Sequence, residues 1–269
     1  MAVNKMGNTL AVHDKKGDML NRHVFSDEQG PHHGNHIPVK KLIGQGALNS
    51  LEKLRNLLQG SKVGRIAIRG KEGIGKSYLM KHLHNSALKW FAYVYWVTSP
   101  DEFRLELVQD AVAAVVKCDF THEDELKVRA RKLSKKLREL DGSFVLFLDG
   151  VPNNAEFSLD QKGIPVPVQG SECKLVLTTT SSTTTLGCRM LHGFAAVELD
   201  CLSESEALEL FMHEAKSDMK RVTSLSDIPR LLAKKCRGVP LTIVNVASYV
   251  CGIDDLNEWR NLLFELENF

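Results

Sequence analysis

The run Ile66-Ala67-Ile68-Arg69-Gly70-Lys71-Glu72-Gly73-Ile74-Gly75-Lys76-Ser77 constrains this chain more than any other stretch. An apolar alternation ends at Gly70, and Gly75-Lys76-Ser77 opens a segment, Tyr78-Leu79-Met80-Lys81-His82-Leu83, whose apolar residues recur at helical spacing. Strand, loop and helix in that order, with this spacing, make a complete phosphate-binding loop. Glycines let backbone N–H groups curl around a di- or triphosphate, and the positive end of the following helix adds to the attraction. The pattern assigns Lys76 to the terminal phosphates and Ser77 to Mg²⁺. Gly70, Lys71, Glu72, Gly73, Ile74, Gly75 and Tyr78 complete the candidate nucleotide-contacting loop.

The 269 residues are 43% apolar and 25% charged, ordinary for a globular chain and enough for one large domain or two small ones. A formal net charge of +2 gives no argument for nucleic acid or an anionic membrane as partner. Cys118, Cys173, Cys188, Cys201, Cys236 and Cys251 stand singly, which predicts reduced thiols in a cytoplasmic protein rather than a disulfide framework or a zinc site. No apolar run approaches the roughly 20 residues that cross a bilayer, and the N-terminus lacks the apolar core of a signal peptide. The expectation is therefore no membrane span.

Residues 1–36 are polar without a sustained period and read as a flexible N-terminal segment. His32, His33 and His36 lack the carboxylate or thiol spacing of a metal site. Leu51, Leu54, Leu57 and Leu58 predict an amphipathic helix from about Asn49 that stops at Gly60. Strands follow at 92–98, 144–149, 173–179 and 196–199, with helices between the first two, one of them carrying Leu126, Ala130, Leu133, Leu137 and Leu140. The Lys and Arg residues on its other faces read as a solvated surface. Phe144-Val145-Leu146-Phe147-Leu148-Asp149 is apolar up to its terminal carboxylate, where a phosphate-loop protein places the Asp that holds Mg²⁺. Strands alternating with helices predict an α/β fold with a parallel sheet and ligand at the C-terminal strand ends.

Beyond Leu202 only helices are predicted, opened by the capping-box pair Ser203 and Glu206 and continued at 228–235, 241–250 and 256–266. Gly238-Val239-Pro240-Leu241 reads by itself as a helix stop and restart.

Together these blocks resemble the NB-ARC nucleotide-binding domain of plant disease-resistance proteins of the coiled-coil, leucine-rich-repeat (NLR) class. The resemblance covers residues 43–269. Gly70 to Ser77 is similar to its phosphate loop, Val94-Tyr95-Trp96-Val97-Thr98 to its first resistance-specific block, and Phe147-Leu148-Asp149 to its Walker B strand. Gly163-Ile164-Pro165-Val166-Pro167, Leu175-Val176-Leu177-Thr178-Thr179, Leu202-Ser203-Glu204, Gly238-Val239-Pro240-Leu241 and Asp254-Asp255-Leu256-Asn257-Glu258-Trp259-Arg260 follow in the family's order. The resemblance implies a P-loop NTPase fold of the STAND type, a five-stranded parallel sheet flanked by helices and followed by a small all-α subdomain. It divides the chain into a nucleotide-binding domain at 37–200 and a helical, ARC1-like subdomain at 201–269. It also implies an ADP/ATP switch with Mg²⁺, an adenine-side contact at Pro240, and an adenine-contacting entry at Ile43-Gly44.

Departures from the family pattern modify that expectation. Gly150 follows Asp149 where the family has a second acidic residue, and Thr180 follows Thr178-Thr179 where it has an Arg that senses the terminal phosphate. Pro152 replaces a tryptophan after the Walker B strand. A missing carboxylate removes the group that positions attacking water, so hydrolysis is expected to be weak or absent and the chain at most a slow ATPase. The chain ends at Phe269, before the family's winged-helix part, so it reads as a truncated, partly degenerate member. The expected function is a nucleotide-binding defence-switch module, with self-association or pairing with full-length NLR proteins as its protein contacts. The alternatives are a nucleotide-free decoy or regulator that pairs with such proteins, and a P-loop phosphotransferase.

Overall fold

A buried parallel sheet forms where strand sequences are apolar on both faces. Here β3 (Phe144–Asp149) is buried at every position, and it pairs in parallel with β2 (Tyr93–Thr98) on one side and β4 (Lys174–Thr180) on the other. β1 (Arg65–Gly70) lies between β4 and the short β5 (Ala195–Glu198), giving the order β2-β3-β4-β1-β5 with every pairing parallel. The phosphate-loop strand and the strand ending in Asp149 are therefore not neighbours. β4 separates them. In register, Thr98 lies opposite Asp149 and Gly70 opposite Thr180, so all these strands present their C-terminal ends along one edge.

The computed structural model describes residues 34–99, 105–123, 125–152, 172–180, 193–215, 227–253 and 255–267, all within one compact unit spanning His32–Phe269. Alternation along the strands fills two layers. On one face, Leu51, Leu54 and Leu58 of α1 (Gln45–Gln59) and Leu79, Met80 and Leu83 of α2 (Lys76–Ala87) pack on Ile66, Ile68, Phe147 and Val176. On the other, Val108 and Val112 of α3 (Leu105–Val116) and Leu133 and Leu137 of α4 (Leu126–Arg138) pack on Leu146, Leu148, Leu175 and Leu177.

A third cluster holds the helices α5 (Glu204–Ala215), α6 (Ile228–Lys235), α7 (Pro240–Tyr249) and α8 (Leu256–Glu267) around Phe211, Leu232, Ile243 and Trp259. Phe211 and Trp259 meet edge to face at 5.9 Å, and the Trp259 indole N–H donates to the Ile253 carbonyl at 3.0 Å. Trp259 is fully buried, so its truncation to alanine is worth about 3–5 kcal/mol. The capping box opens α5: the Ser203 N–H donates to Glu206 Oε2 at 2.9 Å and the Glu206 N–H to Ser203 Oγ at 3.4 Å.

The starts of α1 and α7 differ from the sequence-based expectation, and β2, β4 and β5 are displaced by one residue at one or both ends. α1 begins at Gln45, about four residues early, because Gly44 turns the chain with φ +100 and no side-chain cap marks the start. α7 begins at Pro240 itself, the first-turn position where a missing N–H costs nothing. The segments 1–33, 100–104, 153–171, 181–192 and 216–226 and the residues 124, 254, 268 and 269 lie outside the described residues, and with them the 163–167 motif, most of the threonine run and Asp254 of the 254–260 motif. Among the described residues no helix is long and apolar enough to cross a membrane.

Candidate functional site

β1 delivers the chain to Gly70, and α2 starts at Lys76, so the intervening loop sits at the C-terminal edge of the sheet with the helix N-terminus facing it. The Lys76 ammonium folds back over the loop and donates to the Gly70 carbonyl at 2.9 Å and the Lys71 carbonyl at 2.7 Å. Burial holds this ammonium below the usual lysine range, while Glu72, Asp149 and Glu198 pull it part of the way back. A partly desolvated cation held by neutral carbonyls fits a phosphate well, since a charge-assisted hydrogen bond is roughly twice as strong as a neutral one.

Ser77 is the second residue of α2, and its hydroxyl donates to Asp149 Oδ1 at 2.8 Å. The Thr178 hydroxyl donates to the same oxygen at 2.6 Å and accepts from the Gly150 N–H at 2.7 Å. Asp149, buried at the end of β3, is thus held from two sides: by α2 and by the strand that the sheet order places next to it. A hydroxyl and a carboxylate converging on one point suit a hard cation such as Mg²⁺, which takes oxygen ligands.

The loop opens into a cavity of about 800 Å³, large enough for a nucleotide. Ile43, Leu210, Pro240, Leu241 and Val244 supply apolar wall, and the loop and first turn from Glu72 to Tyr78 supply polar wall. The entering chain, 37–44, crosses this space as a strap. The Ile37 N–H donates to Asn85 Oδ1 at 2.9 Å, and the Asn85 amide donates back to the Ile37 carbonyl at 2.7 Å. The Tyr78 hydroxyl donates to the Lys40 carbonyl at 2.7 Å, and the Lys40 ammonium pairs with Glu214 of α5 at 2.8 Å. Glu206 accepts from the Gly46 N–H at 3.3 Å, and the Leu241 N–H donates to the Gly73 carbonyl at 3.1 Å. Phosphate loop, strap, α5 and α7 therefore share hydrogen bonds around one space.

Of the residues singled out from sequence, Ile43, Glu72, Gly73, Ile74, Gly75, Lys76, Ser77, Tyr78 and Pro240 line the cavity. Gly70 and Lys71 stand behind it as acceptors for Lys76, and Asp149 lies behind Ser77. Gly150 turns the chain with φ +82 and offers no carboxylate, and Thr180 ends β4 beside Gly70. Sequence reasoning missed Thr178, Lys40 and Glu214. The first was singled out only as part of the 175–179 strand motif, with no contact to Asp149 foreseen, and the other two meet across 174 positions of chain.

A family model described as the NB-ARC domain matches residues 48–221. A protein of Arabidopsis thaliana described as a probable disease resistance protein is 30% identical over 223 residues, covering 81% of this chain and 23% of its own length. A second, a disease resistance protein of the same plant, is 29% identical over 249 residues, covering 90% and 25%. The chain thus spans about a quarter of these curated relatives. Among solved structures, Cdc6p of Pyrobaculum aerophilum superposes with a TM-score of 0.58 at 13% identity, covering 82% of this chain and 64% of that one, a likeness of fold alone.

Proposed function

The chain belongs to the NB-ARC family, and from that premise we propose that it is the ADP- or ATP-binding switch module of a plant disease-resistance protein, hydrolysing ATP weakly or not at all. The observation that carries this reading is the continuity of the phosphate loop with the apolar cavity between Ile43 and Pro240. The loop takes the phosphates, with Lys76 turning from the loop carbonyls to the terminal ones, and the apolar walls take the base. Ser77 and Asp149 would hold Mg²⁺, whose chemistry is to neutralise charge on the outer phosphates. Residues 37–200 act as the nucleotide domain and residues 201–269 as the helical part that closes on it. The setting is the cytoplasm, with self-association or pairing with full-length relatives as the protein contacts.

Gly150 and Thr180 support the weak-hydrolysis clause, since Gly150 has no side chain to orient water as a carboxylate does and the neutral Thr180 hydroxyl cannot neutralise a γ-phosphate as a guanidinium does. The same two residues favour a second reading, a nucleotide-free regulator that acts by pairing. Titration with ADP and ATP, with and without Mg²⁺, separates the two. Saturable binding with a Mg²⁺-dependent component that Asp149→Asn removes supports the switch, and no binding of either nucleotide supports the regulator. Brisk ATP turnover abolished by Asp149→Asn contradicts the weak-hydrolysis clause.

A further inference from the structure

The near-neutral total charge conceals one strongly polarised element. α4 carries seven Lys or Arg and no Asp or Glu in 13 residues, so the rest of the chain is net negative. Its inner side is committed to the fold: Leu133 and Leu137 are buried, and Arg129 is ion-paired with Asp110 and lies over the Phe120 ring at 4.4 Å. Lys127, Arg131, Lys135 and Arg138 are exposed at steps of four, four and three, which places them on one ridge. At 1.5 Å per residue the ridge is about 16 Å long. Lys132 and Lys136 flank it, half-buried.

The helix does not gain from this arrangement. Lys127 and Arg131, Arg131 and Lys135, and Lys132 and Lys136 are like-charge pairs at i,i+4, each costing a few tenths of a kcal/mol. The macrodipole rewards cations in the last turn, which accounts for Lys135, Lys136 and Arg138, but it disfavours Lys127 in the first. Two ion pairs, Lys132 with Glu123 at 2.6 Å and Lys135 with Glu139 at 3.7 Å, relieve only part of the repulsion.

We infer that the α4 ridge is a docking surface for an anionic phospholipid bilayer, bound peripherally and electrostatically. Clusters of four to eight Lys or Arg on a helix face are the arrangement that attracts such surfaces. The shape favours a lipid surface over a protein or a polynucleotide. The ridge is a single convex line with no exposed large apolar side chain to seat a protein partner, since Leu48, Leu231, Leu241, Tyr249 and Phe264 all lie on other elements. It offers no exposed aromatic for stacking the bases of a single strand, and a single line of four exposed cations with no base-reading side chain beside it gives a duplex no groove contact. Its buried side is held in the sheet's core, so α4 lies on the bilayer and does not insert. α4 also packs on the sheet face opposite α1 and α2, which leaves the strap and the cavity clear of the bilayer.

The test is co-sedimentation of the full chain with phosphatidylcholine vesicles that either contain or lack phosphatidylserine, at low and high salt. The account expects salt-sensitive binding that requires phosphatidylserine, and a fall in partition of more than about tenfold when Lys127, Arg131, Lys135 and Arg138 are all replaced by Gln. A control variant with Lys53→Gln, Lys62→Gln, Lys235→Gln and Arg237→Gln makes the same change in net charge away from α4 and is expected to bind as the wild type does. Unchanged urea midpoints show that both variants fold. Equal loss in the control overturns the inference, because net charge alone would then explain the binding. So does a wild-type chain that ignores phosphatidylserine vesicles, and if that chain instead binds a polyglutamate peptide through the ridge, the surface is for an acidic protein.

Discussion

The Tyr78 hydroxyl and the Lys40 carbonyl, 2.7 Å apart, join the helix that opens at the phosphate loop to the strap that crosses the cavity. The Lys40 side chain carries the link on to Glu214 of α5, and that pair holds the Glu214 carboxyl below and the Lys40 ammonium above their usual ranges, in each case chiefly through the hydrogen bond between them. Fastening at both sides should slow the release of a nucleotide held in this cavity. Tyr78→Phe removes one neutral hydrogen bond worth about 0.5–1.5 kcal/mol, so release of a fluorescent ADP analogue, followed by stopped flow, should quicken by about two- to tenfold. Lys40→Ala removes an exposed pair and should have a smaller effect, which fades as salt is raised. An unchanged release rate in Tyr78→Phe would show that the strap does not gate the site.

Gly150 and Gly238 share the left-handed conformation, with φ +82 and +70, but not their surroundings. A Cβ on Gly150 would meet only Ser99 Cβ at 3.7 Å, an ordinary contact, so Gly150→Ala should cost the backbone term alone, about 1–2 kcal/mol. A Cβ on Gly238 would run into the Leu202 carbonyl oxygen, and the Leu202 N–H donates to the Gly238 carbonyl at 2.8 Å, so the neighbouring backbone has no room to retreat. Gly238→Ala should therefore cost about 1–3 kcal/mol more than Gly150→Ala in urea unfolding. Equal costs would show that the junction before α7 is looser than described.

His84 is buried beside Trp96 and Phe147, with ring centroids at 5.7 and 5.5 Å. Burial pushes its imidazole below the usual histidine value of 6.5, and the hydrogen bond to Asn85 only partly offsets this. The unfolded chain then binds a proton more readily than the folded one. Stability is full above about pH 6.5 and falls as pH drops from there toward the folded value. The urea midpoint should decrease between about pH 7.5 and pH 5.5, and His84→Leu should flatten part of that slope. His82, lowered in the same direction by burial and by Arg55, accounts for a further part. A slope unchanged in His84→Leu would contradict this assignment.

Where an element's position was set by local sequence, it was legible. The apolar run from Phe144 ends at Asp149 because β3 is covered on both faces, and the loop from Gly70 to Ser77 needs only its own spacing. The capping pair Ser203 and Glu206 was legible for the same reason. What escaped depended on sheet order or distant contacts. Thr178 touches Asp149 only because β4 lies beside β3, an order that strand sequences do not encode locally. Glu206 also accepts from Gly46, a second task invisible beside its cap. The cations on α4 were visible in the sequence but read as a solvated surface, because periodicity shows which residues share a face and not what that face meets.

The measurement that most directly tests the nucleotide-binding account is the identity and stoichiometry of nucleotide released when the purified protein is denatured, with Lys76→Ala as the control. Lys76 holds the loop carbonyls and faces the cavity, so the account predicts stoichiometric ADP or ATP from the wild type and none from the variant. Nucleotide retained in full by Lys76→Ala, or a wild-type chain that releases none and takes up none when ADP or ATP is added, would contradict it.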